Sequence, residues 1–228
     1  MKKSILLFLS ASAIVATSFT GSSDFEGKIV YAIDFNNPNM PPQAKAMMAG
    51  SNATTYIKGT KTRSEVNMAM QNTIAIYDSK TNTAVTLMEV MGNKYKIKND
   101  LSKKDEKKPD TKVNVTSETK VIAGYTCKKA EVTFTDKNGT ATNTNIWFTE
   151  EISNHMNTSS ENGYQFKDIK GMPLEYEIKT QNGMTMKMSA TSVSKETVAD
   201  SKFDIPSDYK ETTVEDMQKD MMKMMQQH

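Results

Sequence analysis

From Ile29 onward, apolar residues recur at every second position in segment after segment, and this periodicity confines the chain to strands. Ile29, Tyr31, Ile33 and Phe35 alternate with Val30, Ala32 and Asp34, the pattern of a strand with one buried and one wetter face. Asn36-Asn37-Pro38-Asn39 ends it. Further strands are expected over 54–58, 61–68, 73–77, 83–91 and 94–98, punctuated by Gly59, Asp78-Ser79-Lys80 and Gly92-Asn93. Short strands joined by turns, with no helix to carry a crossover, form an antiparallel meander.

A second strand-rich stretch follows. Strands are expected over 119–122, 128–135 and 142–149, with Ala130, Val132 and Phe134 on one face. The polar run 150–163 is a long connection of the kind that covers one end of a barrel. Leu174, Tyr176 and Ile178 then alternate with Glu175, Glu177 and Lys179, and Asn182-Gly183 suits a two-residue hairpin turn whose central positions need positive φ. On the return strand Met184, Met186, Met188 and Ala190 share a face. Methionine is unbranched and polarizable, so such a face suits either plain packing or an adaptable ligand surface.

Two helices interrupt the strands. Pro41-Pro42 opens a short one over 43–49 that carries Met47 and Met48 and stops at Gly50. At the C-terminus Thr212 and Glu215 have capping-box spacing, and Val214, Met217, Met221 and Met224 follow at helical intervals. Between the two strand-rich stretches, the charged run 99–111 with Pro109 is expected to be a solvated loop between two halves of one sheet.

Composition narrows the function classes. With 29 basic and 27 acidic residues, and Arg63 the single Arg among the basic ones, the chain has neither the field nor the planar forks of a nucleic-acid binder. Lys2-Lys3, the apolar run 5–16 and Ala16-Thr17-Ser18 read as a signal peptide over 1–18, leaving a single β-rich domain over 19–228 in the periplasm or outside the cell. No Cys stands near the cleavage point to carry a lipid anchor. Cys127 is the only cysteine, so no intramolecular disulfide forms, and its strand-like surroundings favour a buried thiol.

Several segments together resemble a known family. F-E-G-K-I-V-Y from Phe25, Y-I-K-G-T-K-T-R from Tyr56, I-A-G-Y-T-C-K-K-A from Ile122, I-W-F-T-E-E-I from Ile146, G-M-P-L-E-Y-E from Gly171 and F-D-I-P-S-D-Y from Phe203 are similar to the domain of unknown function DUF4412, an exported family typical of Bacteroidota. The resemblance implies a LolA-like architecture: a strongly curved antiparallel sheet, or half-open barrel, with a short plug helix and a C-terminal helix. It implies no catalytic residue and no cofactor.

Three functions compete. A non-catalytic carrier of a hydrophobic small molecule or lipid would use Met184, Met186, Met188, Leu174, Tyr176, Ile178, Met47 and Met48 as one pocket. A Cu(I) binder would use the soft thioethers of Met217, Met221 and Met224 with His228. An interaction module in peripheral contact with envelope components would need no small ligand. An enzyme is disfavoured: the two His residues stand isolated, and no nucleophile elbow, phosphate loop or HExxH motif occurs.

Overall fold

The computed structural model describes residues 25–36, 40–69, 71–90, 92–99, 110–135, 139–153, 169–179 and 185–225. In chain order it contains β1 (Glu26–Asn36), α1 (Pro42–Met48), β2 (Asn52–Lys58), β3 (Lys61–Met68), β4 (Gln71–Asp78), β5 (Thr83–Val90), β6 (Asn93–Asn99), β7 (Asp110–Ile122), β8 (Tyr125–Thr135), β9 (Ala141–Thr149), β10 (Met172–Lys179), β11 (Thr185–Lys195), a 3-10 turn (Asp200–Phe203), β12 (Lys210–Glu211) and α2 (Val214–Met225). All twelve strands join one sheet in the order β12-β6-β5-β4-β3-β2-β1-β11-β10-β9-β8-β7. Two antiparallel meanders meet where β1 pairs with β11. Only the short β12 runs parallel to its neighbour, β6.

Chain connectivity demands that this sheet be curved. β6 and β7 are consecutive in sequence yet lie ten strand positions apart, about 48 Å in a flat sheet. Residues 100–109 can bridge at most about 39 Å. The sheet therefore curls without closing, with β7 and β12 as its free edges. The expected charged loop over 99–111 is shorter than that: Asn99 ends β6 and Asp110 opens β7, and the rest lies outside the described residues.

Turn chemistry explains one tight connection. Ala123 and Gly124, between β7 and β8, both take positive φ, 48° and 87°, as a two-residue primed hairpin turn requires. Asn182-Gly183, the stronger signal in the sequence, lies outside the described residues.

The register sorts side chains onto two faces. The inner face carries Ile29, Tyr31 and Ile33 of β1, all buried, and continues through Ala53 and Ile57 of β2. In β3 and β4 it is mixed: Thr62, Ser64, Thr73 and Ala75 are small or polar, while Val66 and the buried Tyr77 keep apolar surface at either end of the strands. It becomes apolar again at Met88, Tyr95 and Ile97. The outer face carries Tyr56, Arg63 and Glu65.

The C-terminal segment crosses that outer face. Val198 donates its N–H to Glu26 and accepts from Lys58 at its carbonyl, at 2.8 and 2.9 Å. Arg63 then holds the Lys202 carbonyl at 2.9 Å, while its Nε pairs with Glu65 at 2.7 Å. After β12 the chain rounds the sheet edge, and α2 seats Met217 against Tyr95 and Ile97 on the inner face. The cap of α2 falls one residue later than expected: Thr213, not Thr212, accepts the Asp216 N–H at 3.1 Å. The helix begins at Val214, so Thr213 is the residue placed to reach its third N–H.

Candidate functional site

Among the described residues, a continuous apolar surface lies on the inner face around β1, β11 and β10. Ile33 stands opposite Met188, Met188 opposite Tyr176, and Tyr176 opposite Ile146. One row along, Phe35 stands opposite Met186 and Met186 opposite Ile178. Ile33, Met188, Leu174 and Ile146 are buried and form a floor. Phe35, Met186, Tyr176 and Ile178 are half-buried, and the last two pack against both neighbouring core clusters.

Ring packing, one hydrogen bond and burial keep the tyrosines of this surface in place and uncharged. The Tyr31 and Tyr176 rings meet edge to face, 6.4 Å between centroids at 70°, a favourable quadrupole arrangement. The Tyr31 hydroxyl donates to the Pro173 carbonyl at 2.8 Å. Burial, with Tyr176 and Cys127 beside it, holds that hydroxyl well above its ordinary range. Burial raises Tyr176 likewise, so neither phenol ionises near neutral pH. Cys127 is buried, and burial pushes its thiol up to about 11 despite the nearby Lys120.

Charge is confined to the opposite face of the same strands. The Lys120 ammonium lies 4.2 Å from the centroid of the Trp147 ring and 2.7 Å from Glu175. Lys187 approaches the same carboxylate at 3.4 Å.

The structure brings together five of the expected ligand residues: Leu174, Tyr176, Ile178, Met186 and Met188. Met184 lies outside the described residues. Met47 and Met48 do not join the floor: no residue of α1 is buried, and Met47 is 49% exposed. Ile33, Phe35 and Ile146 belong to this face and were missing from the expected set. The alternation of Ile33 and Phe35 is plain in the sequence, but the pairing of β1 with the distant β11 that brings them here is not, nor is the pairing of β10 with β9 that adds Ile146.

The expected metal residues divide similarly. Met217 and Met221 pack into the cluster with Tyr95 and Ile97, Met224 accepts a hydrogen bond from Asn93 at 3.2 Å, and His228 lies outside the described residues. Among the described residues no group of three or more His, Cys, Asp or Glu side chains converges as for a metal. An open surface groove of about 580 Å³ runs along the polar side of α2 between Lys210, Asp216, Lys219 and Lys223. Its lining is charged of both signs, and it has no share in the apolar face.

Fold and face together define an open, curved, mainly antiparallel sheet protein with an apolar inner surface. The chain belongs to the DUF4412 family, a domain of unknown function, whose model matches residues 38–209. β1 and α2 fall outside that match. No curated protein matches the chain. Among solved structures, a domain assigned as an outer membrane lipoprotein-sorting protein from Vibrio parahaemolyticus is similar over 81% of this chain and 90% of its own, at 9% identity and a TM-score of 0.32. No described helix is long and apolar enough to cross a membrane.

Proposed function

We propose that this chain is a non-catalytic exported binding protein that holds a hydrophobic ligand, an acyl chain or lipid, against the inner face of its sheet. One observation carries the reading: Phe35, Met186 and Ile178 form a register-matched, half-buried apolar row, with half-buried Tyr176 in the adjoining row beside buried Ile33, Met188 and Ile146. A contiguous apolar surface of this kind marks a binding site more often than a random exposure does. The neutral phenols and the soft Met186 side chain suit a flexible alkyl chain. Export follows from the signal peptide over residues 1–18, with the remaining chain acting in the periplasm or envelope as one domain.

The test is native mass spectrometry of the mature protein purified from its own envelope, followed by denaturing lipid analysis of the same sample. A lipid or fatty acid at near-equal stoichiometry is expected, absent from the Met186→Glu and Ile178→Glu variants. A folded protein that returns empty, from wild type and variants alike, would sink the proposal. N-terminal sequencing of the same sample checks cleavage after residue 18.

A further inference from the structure

The geometry points to a second site of different chemistry at the far edge of the sheet: a thioether site for a soft monovalent cation, Cu(I), built from Met88, Met217 and Met221. Met217 is buried against Tyr95 and Ile97, and Met88 of β5 and Met221 of α2 pack into the same cluster. The ligands thus come from two elements that meet only because β12 carries the chain around the sheet edge. Met217 and Met221 are one turn apart on α2 and so present their sulfurs in succession along one face. Met224, a turn further on, lies over the rim, with its sulfur held by Asn93 at 3.2 Å.

Chemistry makes the cluster selective. Neutral thioethers prefer Cu(I) over the harder divalent ions, which take oxygen and nitrogen. Tyr95, Ile97 and Val214 exclude the water and carboxylates that hard ions need. Five of the twelve residues of α2 are methionine, although leucine would fill the same volume with equal helix propensity. α2 lies beyond the residues matched by the family model.

The test is anaerobic competition for Cu(I) against a colorimetric chelator, using the full mature chain, with X-ray absorption at the copper edge. One equivalent bound through sulfur scatterers is expected. Loss of a supporting outer-shell group already lowers metal affinity roughly 10–100-fold. Removal of a direct ligand by Met88→Leu, Met217→Leu or Met221→Leu should do at least as much, while Met222→Leu on the exposed side of the helix changes nothing. These swaps conserve volume and keep the fold, and the absorption spectrum of the wild type is a readout independent of any variant. No binding, a nitrogen and oxygen shell, or affinity that survives the triple leucine variant would each overturn the assignment.

Discussion

The inner face bears two methionine patches that differ in what lies over them. At the β5–β6 end of the sheet, Tyr95 and Ile97 are reduced to 4% exposure with Met217 of α2 packed against them. At β1, β11 and β10 the floor is just as buried, but Phe35, Tyr176, Ile178 and Met186 are only half-covered by the described residues. Between the patches Ser64, Thr73 and Ala75 thin the apolar surface of β3 and β4, although Val66 and Tyr77 lie on the same face. Methionine content alone therefore says little about role. A patch closed by the chain's own helix has its sulfurs gathered for packing or for a small ion, whereas an unclosed one has area to offer a larger apolar guest.

The sharpest way to break this comparison is to hollow the core that packs against the floor at Ile146. Phe148 is 2% exposed in the cluster beneath Tyr176 and Ile178, and Phe148→Ala should cost about 3–5 kcal/mol in urea unfolding. A much smaller loss would mean that this half of the sheet can collapse around the gap. Next in size is the buried thiol. With its value pushed up to about 11 from an ordinary 9.0, Cys127 should react with iodoacetamide at pH 8 roughly a hundredfold more slowly than an unperturbed thiol. Alkylation at the free-thiol rate would show that the floor opens readily. Third, Met217→Ala should cost about 2 kcal/mol and release the amides of α2 to exchange, whereas Met186→Ala should cost under about 1 kcal/mol. Equal losses would erase the distinction between covered and uncovered patches.

Much of this was legible in the chain, because alternation and turn residues are local signals. The strands from β1 to β6 follow from period-two patterning, and the methionine faces of β11 and α2 follow from spacing. The β1–β11 pairing was not legible, because it joins residues about 160 positions apart and no local rule selects that partner. Hence Ile33 and Phe35 are absent from the expected site, and Met47 and Met48 enter it only through the methionine content of a short helix that the family resemblance casts as a plug. The meeting of Met88 with Met217 was hidden for a similar reason. It depends on two residues of β12, Lys210 and Glu211, too short a strand for any periodicity to reveal.

The smallest expected effect concerns the back of the uncovered patch. Glu175 follows Leu174 and precedes Tyr176 on β10, so its carboxylate faces outward beneath the proposed ligand row. Burial works against its charge, but the hydrogen bond and charge of Lys120, with Lys187 behind, outweigh it and hold the carboxyl below its ordinary value of 4.5. A group whose folded value is depressed contributes stability that is complete above the unfolded value and drains away as pH falls through the folded one. The contribution should be about 1 kcal/mol or less, as for a partly exposed ion pair. In urea titrations between pH 7 and pH 3, wild type should therefore converge on Glu175→Gln as the pH drops, with no change in the exchange protection of α2 at any pH. Parallel curves would mean that Lys120 serves the Trp147 ring rather than the carboxylate. Altered α2 protection would mean that the two patches are mechanically coupled through the strands between them.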